Sequence, residues 1–319
     1  MRAYLNLLED ILNNGEMKSN RTGVNTLSVF GRQLRFDLAD GFPLVTTKKM
    51  HFKGIATELL WMLSGNTNIR MLVENNVNIW NDWPYFRLYV PECELLGVTP
   101  LSMPEFAKRV AENDEFARRF GELGPVYGKQ WRHWAKPDGT TVDQIAQARK
   151  TLRNDPDCRR IIVNAWNVGD IEAMTVSGLP PCHLMFQFNT RSEQHEKRRK
   201  LDMQIYIRSS DVFLGLPYNV AFYALLLTMM AGDVNMIPGE LVVTLGDAHL
   251  YENHLEQARL QLSREPFQLP KLSVLPFYLL AFTDAVFDEI GGASVESCIS
   301  KILLTNYECH PVIKADVAV

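Results

Sequence analysis

The chain has few cysteines and no pattern among them. Its five, Cys93, Cys158, Cys182, Cys298 and Cys309, are odd in number, widely scattered and without a Cys-x-x-Cys pair. That fits neither a disulfide framework nor a zinc site, and it points to a reducing compartment. Neither sign of charge dominates: 33 Lys and Arg against 37 Asp and Glu leave a net charge of −4. The surface as a whole therefore selects neither nucleic acid nor anionic membrane, and any anion site must be a local cluster. The longest apolar run, residues 220–231, is broken by Tyr223 and Thr228 and is too short to span a bilayer. Glu9 and Asp10 stand where a secretion signal needs an unbroken apolar core, so a cytoplasmic location is expected. No Gly-x-x-x-x-Gly-Lys-Ser loop is present, which argues against an NTPase. Metal-ligand spacing is missing too, since His249 and His254 stand five apart and off a common helical face. No metal is expected. Repeats, low-complexity tracts and linkers are also lacking.

What remains is a globular composition, 46% hydrophobic over 319 residues, organised around one stretch. Gly178-Leu179-Pro180-Pro181-Cys182-His183 runs into the apolar segment 184–188, which reads as a buried strand. Two prolines fix the backbone and supply no N–H donors, so the thiol that follows has a set direction. A free cysteine is more often a small buried hydrophobe than a nucleophile. Arginines elsewhere in the chain change that balance, because cations near a thiol favour the thiolate.

Taken in order, Tyr4, Leu8, Ile11 and Leu12 predict an opening helix that ends at Asn13-Asn14-Gly15. Residues 26–31 and 33–38 alternate as the two arms of a hairpin. Residues 53–63 predict a helix that buries Ile55, Leu59, Leu60 and Leu63 and carries Glu58 in an apolar setting. Trp80 and Trp83 stand three apart and can fill a core or wall a flat ligand. Residues 84–122 change character: prolines break them up, and 105–120 predicts one charge-laced helix. They read as a surface excursion outside the catalytic body. Arg159 and Arg160 open a β-branched strand at 158–166, and residues 191–200 form a charged, solvent-facing loop. Residues 201–208 alternate as a strand, an apolar helix starts near 220, and strand 241–245 leads to Asp247 and His249.

Arg21, Arg159, Arg160 and Arg208 sit at loop–strand junctions that can converge on one pocket. Planar guanidinium forks suit a phosphate monoester, and the hydroxyls of Ser209 and Ser210 add neutral donors. Asn219, His249 and Tyr251 form a plausible set for the edge of a heterocycle.

Eight blocks carry a resemblance. They are Arg21-Thr22-Gly23, residues 42–48, Glu58-Leu59-Leu60-Trp61, residues 123–128, Arg159-Arg160-Ile161-Ile162-Val163, Pro181-Cys182-His183, residues 208–215 and Asp247-Ala248-His249-Leu250-Tyr251. Together, and in this order, they resemble the thymidylate synthase family over nearly the whole chain. The resemblance implies an α+β fold: one domain over 1–319, with a large mixed β-sheet flanked by helices and a sheet face forming a homodimer interface. It implies reductive methylation of dUMP to dTMP with 5,10-methylenetetrahydrofolate, in which Cys182 adds to C6 of the uracil. That addition turns a poor carbon nucleophile into a competent one.

By the same resemblance Glu58, Tyr127, His183, Asn219 and Asp211 join Cys182 in the catalytic set. Glu58 would organise water for proton transfers, and Tyr127 would assist removal of the C5 proton. Arg21 and Arg208, with Arg159 and Arg160 donated by the partner subunit, would hold the phosphate beside Ser209, Ser210 and Asp211. Asn219 would read the base, and His249 with Tyr251 the 3′-hydroxyl. Ile79, Trp80, Trp83, Asp211, Leu214, Gly215, Tyr218 and Ala318 would line the folate site, with Lys48 and His51 at its glutamate tail. The last residues would close as a lid. Ile207, Tyr218 and Asp316 depart from the glutamine, phenylalanine and proline usual in the family.

Three other readings compete. A deoxynucleotide hydroxymethylase shares the scaffold and differs in letting water capture the exocyclic methylene; Trp80 and the complete tail favour the reductive route. A cysteine hydrolase using Cys182 and His183 is disfavoured, because neighbours on a strand point to opposite faces. RNA binding through Lys197-Arg198-Arg199-Lys200 has only a charge cluster behind it, which is usually a solvated tip.

Overall fold

Alternation of apolar and polar side chains decides the sheet. In the strand Lys200–Asp211, Leu201, Met203, Ile205 and Ile207 are buried while Gln204 is exposed, the two-residue period of a strand with one covered face. The computed structural model describes residues 1–20, 22–193, 196–275 and 295–316. Its main sheet has six strands in the order Glu16–Lys18, Thr26–Asp37, Ile237–Tyr251, Lys200–Asp211, His183–Arg191, Ile162–Asn164. All neighbours are antiparallel except Lys200–Asp211 and Ile237–Tyr251, which run parallel and make the sheet mixed. A parallel pair needs a crossover, and here it is the helix Gly215–Asp233.

That helix is apolar around most of its circumference because it is covered all round, lying against the two parallel strands and the helix Phe52–Leu63. Among the described residues it is long and apolar enough to cross a membrane by length and composition, but 72% of that stretch is buried within the protein. The α+β architecture expected from the sequence is thus present: a large mixed sheet with helices packed on it.

Four local expectations are corrected. Residues 26–38 do not fold back as a hairpin. They form one strand, Thr26–Asp37, paired along its length with Ile237–Tyr251. Gly31, at φ +72°, lets the chain run on where a turn was expected. The helix expected over 105–120 is two, Met103–Glu112 and Asp114–Phe120. Asn113 breaks it, adopting an extended backbone and capping the second piece by accepting from the Phe116 N–H at 2.8 Å. The core helix begins at Gly215, not near 220. The strand opened by the arginine pair is only Ile162–Asn164, preceded by a turn that holds Arg159 and Arg160.

The excursion has a small core of its own. Tyr85, Tyr89, Phe106, Phe116 and Phe120 stack edge-on or tilted, with ring centroids 4.9–5.9 Å apart. On the far side of the main sheet, Phe30 is 73% exposed and Ile162 42%. Between them Gln33 and Gln204 both donate to the Thr244 hydroxyl, at 3.1 and 3.3 Å.

Where the parallel strands reach the site they touch closely at Gly246. A Cβ there would lie 2.7 Å from the Arg208 carbonyl oxygen and 3.1 Å from the Tyr206 hydroxyl. Gly246→Ala is expected to lower stability by about 1–3 kcal/mol, the usual cost of overpacking. Urea denaturation checks this, and an unchanged midpoint would contradict the close approach.

Candidate active site

Cys182 sits at the end of the loop that enters the strand His183–Arg191, and external groups hold that loop. Prolines leave it short of donors, so its carbonyls are its main handles. Arg208, on the adjacent strand, takes two of them: Nε donates to the Pro181 oxygen at 2.9 Å and Nη2 to the Pro180 oxygen at 3.0 Å. Nη2 also lies 3.9 Å from the Cys182 Sγ. A fixed positive charge beside a sulfur is the arrangement that favours a thiolate. From the other side, the Cys182 N–H donates to the Tyr127 hydroxyl at 2.8 Å. Backbone pairing completes the clamp, the Arg208 N–H donating to the Cys182 oxygen at 2.9 Å.

The thiol opens on a cleft of about 700 Å³. Arg208, Ser209, Asp211, His249 and Tyr251 face it from the ends of the two parallel strands, and Trp83 faces it from the opposite wall. Asp211 caps the entry to the core helix, its Oδ1 accepting from the N–H groups of Phe213 and Leu214 at 2.9 and 3.0 Å. Asp247 meets the Nδ1 of His249 at 2.8 Å and also accepts from the Ser28 hydroxyl at 2.9 Å. The histidine contact, then burial working against it, leaves the Asp247 carboxyl below its ordinary value. An ionised carboxylate only accepts, so Nδ1 carries the proton and Nε2 of a neutral ring is left as an acceptor. A sugar hydroxyl is a suitable partner for it.

Behind the thiol stands an aromatic wall. Trp80 lies between Trp83 and Tyr127, with ring centroids 5.3 and 6.0 Å away. Its indole N–H donates to Glu58 Oε1 at 2.8 Å. Glu58 keeps some exposure, yet apolar surroundings withhold water and push its carboxyl up to about 7, partly opposed by the Trp80 hydrogen bond. Near neutral pH such a group can both take and give a proton. Burial also raises the Tyr127 hydroxyl, which therefore stays protonated.

His183 points away from this chemistry. Its ring lies between Tyr127 and Tyr223, at 5.4 and 5.3 Å, and burial pushes it down to about 4, so it is neutral. Its polar contact is Asn219, and its Nδ1 has no partner. A Cys182–His183 dyad is therefore not formed. Asn219 lies five residues into the helix Gly215–Asp233, so it cannot cap it. Ser210 is buried with its hydroxyl unpartnered.

Other expected residues stand apart. Arg159 and Arg160 are exposed, and Arg160 borders a separate depression with Cys158. Lys48 is turned inward: its ammonium donates to the Phe213 oxygen at 2.5 Å and lies 3.8 Å from that ring, and burial lowers it to about 8. His51 is exposed ahead of the helix Phe52–Leu63, and the Tyr218 hydroxyl bonds its backbone. Ile79 is 52% exposed, while Leu214 and Gly215 open the core helix. Ile207 is fully buried, so its departure from glutamine falls on the core side of the strand. Arg21 and Ala318 lie outside the described residues.

The charged loop is partly neutralised within the chain. Arg199 pairs with Asp157, and Lys200 with Glu193 at 2.7 Å. Among the described residues no group of His, Cys, Asp and Glu is placed to hold a metal. Sequence reasoning missed Lys18, Asn20, Thr22, Arg87 and Thr175, which also face the cleft. Lys18, Asn20 and Thr22 flank Arg21 and could have been found by extending that loop. Arg87 gave no signal, because it lies in the segment read as separate from the catalytic body.

A thiol fixed between a guanidinium and a tyrosine hydroxyl, at the mouth of a polar cleft, belongs to enzymes of nucleophilic catalysis. Comparison with known proteins narrows the class. The sequence pattern of the thymidylate synthase family matches residues 2–319. A thymidylate synthase of Mycoplasma mobile is 46% identical over 319 residues, covering all of both chains. Those of Listeria monocytogenes and Listeria innocua are 42% identical over 337 residues, again covering all of both. The chain belongs to the thymidylate synthase family, methyltransferases that convert dUMP to dTMP.

The Glu58 carboxyl is held down by one donor, so removing that donor moves its proton affinity in a known direction. In Trp80→Phe the ring remains and the hydrogen bond to the charged form is lost, which raises the pKa further. The limb of the pH–rate profile governed by Glu58 is expected to move to higher pH. A limb that stays in place would contradict the role assigned to this pair.

Proposed function

We propose that this chain methylates dUMP through a covalent bond between Cys182 and C6 of the uracil, at the cleft described above. The observation that carries this reading is the placement of the thiol: 3.9 Å from the Arg208 guanidinium, with its own amide tied to Tyr127. Addition of the thiolate makes C5 electron-rich, and C5 is the carbon to be alkylated. Arg208 holds the phosphate while keeping the loop in place. Ser209 adds a hydroxyl, and Arg21 joins from the loop before the strand Thr26–Asp37. His249, with Nδ1 committed to Asp247, accepts from the 3′-hydroxyl, and Tyr251 stands beside it. Asn219 reads the base with one acceptor and one donor, the complement of uracil O4 and N3–H, and His183 holds the amide in place.

A flat pterin would stack on Trp83, which lines the cleft with Cys182 and is backed by the buried Trp80 at 47°, with the unpartnered Asn81 Oδ1 buried between them in sequence. Ile79, Asp211, Leu214, Gly215, Tyr218 and Ala318 would complete that site, with His51 toward the glutamate tail. When bound, methylenetetrahydrofolate supplies the one-carbon unit and the hydride. The chain's own part is to orient it, keep water away and handle protons. Glu58, near 7, moves protons at the base through water, and Tyr127 assists at C5.

We also propose a homodimer, with Arg159 and Arg160 reaching the partner's phosphate. The support is their exposure outside their own cleft, and a sheet face that leaves Phe30 and Ile162 uncovered. A cytoplasmic setting agrees with five cysteines, none of them in a disulfide among the described residues. RNA binding by the 197–200 cluster gains no support, since two of its four side chains, Arg199 and Lys200, are already paired with Asp157 and Glu193.

The test is product identity. Incubated with dUMP and methylenetetrahydrofolate, the protein is expected to yield dTMP by mass and dihydrofolate by absorbance, in equal amounts. Hydroxymethyl-dUMP with tetrahydrofolate would mean a hydroxymethylase, and no change in the nucleotide would overturn the reading.

A further inference from the structure

Two guanidinium groups, not one, hold the loop that aims Cys182. Arg208 takes the carbonyls of Pro180 and Pro181 from the sheet side. Arg87 takes two carbonyls further upstream: Nη1 donates to the Thr175 oxygen at 2.8 Å and also to the Gly178 oxygen. Thr175 lies in the last turn of the helix Ile171–Ser177, where carbonyls have no intrahelical partner. Gly178 follows that helix and is packed so tightly that a Cβ would meet the Leu123 oxygen at 2.4 Å. Between Thr175 and Cys182 the loop is therefore clamped at both ends by arginines, from two separate parts of the chain.

The source of Arg87 gives the clamp its interest. It sits in Tyr85–Tyr89, a π-turn in which the Val90 N–H reaches back five residues to the Tyr85 oxygen. Such turns are rare, and the added residue re-aims the side chains around them. Trp83, on the cleft wall, lies one turn earlier, and the aromatic core of the excursion fixes the other side through Tyr85 and Tyr89. The segment read from sequence as a surface excursion, which begins directly after Trp83, thus delivers a side chain to the nucleophile's loop.

We infer that Arg87 is a positioning residue for Cys182, and that residues 84–122 form part of the catalytic apparatus by carrying it. A planar guanidinium has donors enough to hold two carbonyls at once, which a lysine ammonium does less rigidly. Loosening the loop would let the sulfur drift from the Arg208 charge and from the point of attack. Displacements of about 1 Å at a reacting atom can cost on the order of a hundredfold in rate.

This inference rests on the function proposed above, and the experiment separates the two. In Arg87→Ala, kcat is expected to fall at least about tenfold while KM for dUMP changes by less than about threefold. Added guanidinium ion should restore part of kcat. Alkylation of Cys182 by iodoacetamide, followed by peptide mass spectrometry, needs no substrate. Its pH midpoint should rise in the variant, because the thiol is less firmly held beside Arg208. If the wild type alkylates as described but leaves dUMP unchanged, the functional reading fails and the positioning role stands. Weaker dUMP binding with kcat and alkylation unchanged would make Arg87 a phosphate ligand and overturn the proposal. Loss of thermal stability alone, with both rates unchanged, would overturn it as well. Should Arg87→Ala not fold, Arg87→Lys is read by the same three measurements: a kcat reduced at least about fivefold supports the clamp, and an unchanged kcat removes it.

Discussion

Everything at this site depends on the hydrogen bonds from Arg208 to the carbonyls of Pro180 and Pro181. A loop with two consecutive prolines cannot secure itself, because it lacks the N–H groups that turns use. Its oxygens must be held from outside, and an arginine fork can hold two while its charge remains near a third partner. Here the third partner is sulfur, at 3.9 Å. One side chain therefore sets both the direction of the thiol and the charge beside it. The same guanidinium faces the cleft, so in the proposed reaction substrate binding and nucleophile activation would share a single group.

The sheet exists to place that arginine. Arg208 lies on one strand, Cys182 immediately precedes its neighbour, and His249 and Asp247 lie on the strand to the other side, so three strand ends present the thiol, the charge and the histidine–carboxylate pair in a row. Only the parallel pair needs a crossover, and its helix, Gly215–Asp233, brings Asn219 up under His183. Burial then separates the titrating groups by task. Glu58, raised to about 7, can exchange protons at neutral pH, whereas His183, lowered to about 4, stays neutral and serves as a prop.

Much of this was legible in the sequence, and the residues show why. The Pro-Pro-Cys run carries its mechanics in its composition. The period of two in 201–208 gave the strand and hence the side on which Arg208 emerges. Glu58 in an apolar helix announced a raised pKa. The failures were of another kind. A strand that continues through Gly31 reads locally as a hairpin, because a glycine with positive φ is equally at home in a turn. Asn113 breaks a run whose apolar spacing of four, Phe106 to Val110, resumes beyond it at Phe116 and Phe120, so the polar gap at 112–115 reads through as helix. Lys48 turns inward onto Phe213, a contact 165 residues away in the chain that no local pattern encodes. Arg87 was passed over for the same reason, since its partners lie 88 and 91 residues further on.

The central claim is that Cys182, as held here, is the nucleophile that adds to the uracil ring. It is tested most directly with 5-fluoro-dUMP and methylenetetrahydrofolate, because fluorine at C5 cannot leave as a proton does and the adduct is trapped. Digestion and mass spectrometry are expected to find the nucleotide and the folate together on the peptide containing Cys182, with no adduct in Cys182→Ala. A trapped nucleotide on any other residue, or an undiminished yield in Cys182→Ala, would contradict it.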